Sequence, residues 1–183
     1  MTYHLSLKVV AIILGLLGIT TGLIAMMRPG AVRRALVGLP RNFRAGAITM
    51  AIGIIWMDIL VFNVDLTEMA QYRTWLLIFF SALGVMTIIY LPDFLFARAL
   101  GVILLLAAEL LFSATFPALH PARHVITIIG YIWAIAGMCF VVAPYLLRDL
   151  IGITHRDDAT ARRTGAIRSA LGLVILALGI TCF

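Results

Sequence analysis

Residues 94–116 read FLFARALGVILLLAAELLFSATF, a stretch whose only charges are Arg98 and Glu109. A helix needs roughly 20 mostly apolar residues to cross about 30 Å of hydrocarbon, and an apolar run of this length predicts a transmembrane helix. Five further stretches meet the same criterion: Leu5–Met27, Ala45–Val64, Thr74–Leu91, Val125–Leu147 and Thr164–Phe183. The last is the weakest, because only the part from Ser169 onward is free of charge and Arg168 must snorkel if the segment crosses completely.

Composition agrees. The chain has 183 residues, 63% hydrophobic and 12% charged, with a formal charge of +6 and mean hydropathy +1.12. Soluble domains run at about 45–50% apolar and about 25% charged, so a water-soluble globule is excluded. The fold expected is all-α: a polytopic integral membrane protein with six transmembrane helices in a compact bundle, one transmembrane domain over 1–183. The first stretch resembles a secretory signal, but its apolar run is too long, its one basic residue is Lys8, and no Ala-x-Ala site follows.

The loops set an orientation. Arg28, Arg33, Arg34, Arg41, Arg44, Arg98, Arg148, Arg156, Arg162, Arg163 and Arg168 fall on one side, eleven of the 14 basic residues, against Lys8, Arg73 and Arg123 on the other. The positive-inside rule makes the rich side cytoplasmic. Both termini then face outward, a same-side placement with which an even number of spans agrees, and a bacterial-type inner membrane is the expected location. Short basic loops account for the net charge without nucleic acid. Pro29–Leu39, with Val32, Leu36 and Val37 on one face, predicts a short interfacial helix whose neighbours Arg28, Arg33, Arg34, Arg41 and Arg44 meet anionic lipid.

In lipid, helices gain little from apolar burial against one another, and small residues let backbones approach. The first stretch places Ala11, Gly15, Gly18, Gly22 and Ala25 on one face. The fifth carries Gly130, Ala134 and Gly137, and the sixth carries Gly165, Ser169, Gly172 and Gly179. Such faces serve packing within the chain or docking of another membrane subunit. Arg44, Arg98 and Arg168 each precede a similar small-apolar segment, which suggests three related helix hairpins.

Two carboxylates fall inside spans, Asp58 and Glu109. An ionisable group costs at least ~2.5 kcal/mol at the bilayer centre, so both are expected to face the bundle interior or a wet cavity. Arg98 and Glu109 are three turns apart, on one face and about 16 Å apart along the axis. One reading is a proton or cation pathway, or a polar pocket for a quinone headgroup, with Trp56, Tyr131 and Trp133 near Asp58. The plainer one is a pair of neutral acids, each hydrogen-bonded to Ser81, Thr49, Ser113, Thr127, a backbone carbonyl, Trp56 or Trp133. His120 and His124 are four apart and share the outer surface with His4, Asp65 and Glu68, but Pro121 disturbs their alignment, so a metal site there is only a weak candidate. His155 reads as part of a solvated loop, Arg148–Arg163. Cys139 and Cys182 lie at different depths and are expected to be free thiols.

Nucleotide-binding, zinc-protease and nucleophile-elbow motifs are absent. The expected role is a non-catalytic integral membrane subunit or scaffold, packing against other transmembrane proteins or a second copy. The alternative is a small proton- or cation-coupled transporter or channel using Asp58 and Glu109. No cofactor is expected, a bound lipid or quinone being what a polar pocket leaves open.

Overall fold

The computed structural model describes residues 6–64, 67–116 and 121–182, and among these every regular element is a helix. Helix α1 spans Leu7–Met27 and starts where the Ser6 hydroxyl accepts the Val9 N–H at 3.4 Å. Proline at the first position opens the short α2, Pro29–Gly38. Asn42 accepts the Ala45 N–H at 3.1 Å and caps α3, Phe43–Asn63. Helices α4, Arg73–Tyr90, and α5, Leu95–Thr115, are joined by a tight turn in which Phe94 takes a positive φ of 54°. Helix α6 covers Arg123–Val142, α7 Tyr145–Thr154 and α8 Asp158–Thr181. Among the described residues six helices, all but α2 and α7, are long and apolar enough to cross a membrane.

Two boundaries differ from the sequence expectation. The fifth stretch, expected to run to Leu147, stops at Val142, and a separate helix begins at Tyr145. Pro144 explains the break: its ring drives the preceding residue out of the helical region, and Ala143 has φ −126° and ψ 74°. The sixth stretch begins at Asp158, six residues before the expected Thr164, so Arg162 and Arg163 ride on a helix. The supposed solvated loop is therefore largely helical. Leu147 and Ile151 of α7 are buried with Ala97 and Phe140, and Leu36 of α2 packs on the same cluster.

The pairing of helices also departs from three hairpins of adjacent spans. Those that pack along their length are α1 with α8, α5 with α6, α3 with α5, and α3 with α4. Small residues make these seams. A Cβ on Gly15 would meet the Leu176 Cβ at 2.7 Å and the Gly172 carbonyl oxygen at 2.9 Å; one on Gly172 would meet the Ile19 nitrogen at 2.7 Å. Gly22 lies against Gly165 and Ser169, and Gly179 lies against Ala11. The glycine faces of α1 and α8 are thus turned on each other. Gly101 and Gly137 bring α5 and α6 together in the same way, each 2.7–2.8 Å from the other's carbonyl oxygen when given a Cβ, while Gly130 faces the Phe112 ring. Ala134 is half-buried on α6.

These contacts put the arginine-rich helix ends together. Gly22 meets Gly165 and Ala11 meets Gly179, so α1 and α8 run antiparallel; Gly46 meets Leu95 and Gly53 meets Val102, so α3 and α5 run parallel. At the opposite end Leu7, Val10 and Ala11 pack with Leu111, Ala114 and Ile126 and join the α1–α8 pair to α5 and α6.

Candidate functional site

Helix α3 touches both α4 and α5, but those two diverge. The approach of α3 to α4 is made at Gly84, against the Ile54 side chain, and its approach to α5 is made at Gly46, whose Cβ would lie 2.7 Å from the Phe96 nitrogen. Between α4 and α5 this leaves a groove of about 460 Å³. Each wall is one helical face: Met50, Gly53, Ile54, Met57 and Leu60 from α3; Phe80, Leu83, Gly84, Thr87 and Leu91 from α4; Arg98, Val102, Leu105, Leu106 and Glu109 from α5. Arg98 and Glu109, placed on one face by their spacing, both line it.

Arg98 ties the turn at one end. Its Nη1 donates to the carbonyl oxygens of Leu91 at 3.2 Å and Asp93 at 2.8 Å, which satisfies acceptors that the end of α4 leaves open. Thr87, the wall's hydroxyl, donates to the Leu83 carbonyl at 2.8 Å.

Asp58 lies elsewhere. The Ser81 hydroxyl donates to its Oδ2 at 2.8 Å across the α3–α4 seam, and its Oδ1 is buried without a hydrogen bond among the described residues. It opens on a second space of about 340 Å³ lined by Ile59, Phe62, Asn63 and Leu77. The two carboxylates therefore face different openings. Tyr131 and Trp133 do not line Asp58's opening: Tyr131 sits over Phe112, ring centroids 4.9 Å apart, and Trp133 packs with the cluster around Leu111. Both belong to α6, which packs on α5 and not on α3.

We expect Ser81→Ala to destabilise the protein by about 1–3 kcal/mol, because it leaves a buried carboxyl oxygen without its donor. Asp58→Leu combined with Ser81→Ala should recover part of that loss, since removing both partners removes the unmet acceptor. Thermal unfolding of the three proteins in one detergent measures this, and a double variant as damaged as the single one would count against the bond.

Arg73 was legible in the sequence only as an outer-loop charge. It donates from Nη2 to the Val64 carbonyl at 2.8 Å, and its guanidinium lies 6.0 Å from the Phe62 ring centroid, beside Asp58's opening. The signal was present: Arg73, Leu77 and Ser81 recur every four residues along one face of α4.

His155 is 6% exposed, not solvated, at the junction of α7 and α8. Its Nδ1 is 2.8 Å from the Thr154 hydroxyl. Burial, and then the charge of Arg168, hold its pKa below the usual 6.5. A histidine depressed in the folded state contributes stability that is present above 6.5 and is lost as pH falls below it, because the unfolded chain takes up the proton first. The protection of α7 amides, after correction for the base-catalysed intrinsic rate, should therefore fall as pH drops below about 6.5. His155→Gln should flatten that response, and an unchanged response would remove His155 as its source.

The remaining expected residues do not assemble. His124 is exposed, while His4, Asp65, His120 and the side chain of Glu68 lie outside the described residues; among those described, no three His, Cys, Asp or Glu side chains come together. Cys139 and Cys182 are free. Arg28, Arg33, Arg34, Arg41 and Arg44 are all exposed on or beside α2, where the Arg34 Nε donates to the Gly30 carbonyl at 3.3 Å. Compared with protein-family models, with curated proteins and with solved structures, the chain matches none of them.

Proposed function

We propose that the protein is a non-catalytic integral membrane subunit that works by packing against other transmembrane chains. Its six long helices cross a bacterial-type inner membrane, with the arginine-rich ends on the cytoplasmic side against anionic lipid and both chain ends outward.

The observation that carries this reading is the isolation of α4. In the most apolar stretch of Ala70–Tyr90 only 6% of residues are buried, against 39% in Leu95–Thr115. Gly84 is its one buried residue, and Trp75, Phe79, Met86 and Ile89 stand at 70, 58, 58 and 63% exposure. A span held by one neighbour gains little packing from its own chain, and a second transmembrane chain would supply the rest. The glycine faces of α1 and α8 no longer support docking, since they are used on each other. Transport through Asp58 and Glu109 is the rival reading, and it needs a route between two carboxylates that line separate openings.

The test is gentle extraction of the native complex with a photo-crosslinking residue at Phe79 or Ile89, followed by mass determination. A stoichiometric transmembrane partner joined at α4 supports the proposal. A particle of this chain alone, carrying a cation flux that Asp58→Asn or Glu109→Gln abolishes, overturns it.

A further inference from the structure

We infer that the groove between α3, α4 and α5 binds an anionic phospholipid, with the phosphate on Arg98 and one acyl chain lying along the groove toward Glu109. This is a small-molecule site on the inward side of α4, independent of whether a protein partner covers its outer face.

Size and shape suit a chain. The groove's 460 Å³ falls within the roughly 300–1,000 Å³ of ligand pockets, and its length from Arg98 to Glu109 is about 16 Å. Its walls are almost wholly hydrocarbon, and Thr87 is already bonded to the Leu83 carbonyl. Access is lateral: Leu83 and Leu91, which line the groove, are also 54 and 47% exposed on the lipid-facing surface. In a bilayer an apolar channel reached this way fills with an acyl chain, because leaving it empty forfeits the dispersion contacts of its lining.

Charge selects the headgroup. The Leu91 and Asp93 carbonyls hold Nη1 and so fix the guanidinium at the groove's end. Among the described residues Nε and Nη2 make no hydrogen bond, so one edge of the guanidinium remains for a ligand. That edge presents parallel donors, which match two phosphodiester oxygens, and a choline cation on the same headgroup would lie beside the guanidinium and be repelled. Arg98 also sits at the end where the basic residues gather, which favours an anion further. At the far end Glu109 lies well away from the phosphate, beside the chain terminus.

The experiment is native mass spectrometry of the delipidated full chain, titrated with phosphatidylglycerol or with phosphatidylcholine of identical chains. One phosphatidylglycerol should be retained with a preference on the order of tenfold: both lipids offer Arg98 a phosphate, but only phosphatidylcholine brings a cation to the arginine-rich end. Arg98→Gln should bring that ratio close to one, and Arg98→Lys should keep part of it. Thr87→Trp, which fills the groove and leaves Arg98 in place, should lose both lipids. Arg148→Gln, on an exposed arginine already paired with Asp149 at 2.8 Å, should bind as the unaltered protein does. Equal retention of the two lipids, a preference that survives Arg98→Gln, or unchanged binding by Thr87→Trp would overturn the site. Displacement of phosphatidylglycerol by an equimolar free fatty acid would overturn the phospholipid assignment.

Discussion

Gly172→Leu should separate α1 from α8 and cost the protein most of its folded population in detergent. A Cβ at this position would lie 2.7 Å from the Ile19 nitrogen, 2.8 Å from the Gly15 carbonyl oxygen and 2.9 Å from the Gly18 carbonyl carbon. All three are backbone atoms of another helix, so no rotamer change relieves the overlap. Overpacking of an ordinary core costs typically 1–3 kcal/mol, and here relief requires moving a whole helix. The loss propagates along the seam, because Gly15, Gly22, Gly165 and Gly179 depend on the same close approach, as does the bond from Ser169 Oγ to the Ile19 carbonyl at 3.5 Å. Gly152→Leu is the matched control, since nothing lies within 4 Å of its added carbon. Disulfide trapping between cysteines placed on α1 and α8, beside thermal unfolding of each variant, reads the effect. Equal stability of the two variants would mean that the α1–α8 seam is not what holds these helices together.

Gly101→Leu should be comparably damaging at the other glycine seam. Its Cβ would fall 2.7 Å from the Gly137 carbonyl oxygen and 2.8 Å from the Val141 Cγ2, and the reciprocal change at Gly137 meets the Gly101 carbonyl oxygen at 2.8 Å. Here the consequence reaches the groove, because α5 carries both Arg98 and Glu109 and its position is set between α6 on one side and α3 on the other. Gly101→Leu should therefore reduce stability and lipid retention together, whereas Gly172→Leu should lower stability first. Gly84→Ala offers a graded comparison. Its added carbon meets the Ile54 side chain and no backbone atom, so the change should cost less than a backbone clash, although Ile54 is β-branched and stiff at χ1 within α3. A smaller loss of thermal stability in Gly84→Ala than in Gly101→Ala, which adds the same single carbon, supports backbone contact as the cause; the reverse order would not.

The long apolar helices were legible in the sequence because length and apolarity are local properties. Twenty apolar residues announce themselves whatever surrounds them, and α3, α4 and α5 begin and end within two residues of expectation. The small faces of α1 and α8 were legible for the same reason, since a helical period is written in one segment. Pro29 likewise opens a short helix where proline at a first turn predicts one.

What the tertiary structure alone decided is which faces meet. Residues 19 and 169 come together across most of the chain, and nothing in either segment names the other, because in lipid the choice of partner rests on shape complementarity between surfaces distant in sequence. Helix α7 escaped detection because ten residues with four polar or charged side chains resemble a loop until Ala97, Phe140 and Leu36 supply the surface that buries Leu147 and Ile151. The same holds for the groove. Arg98 and Glu109 shared a face by their spacing, but the space before that face, and the placing of Asp58 outside it, follow from α4 and α5 each packing on α3 and not on one another.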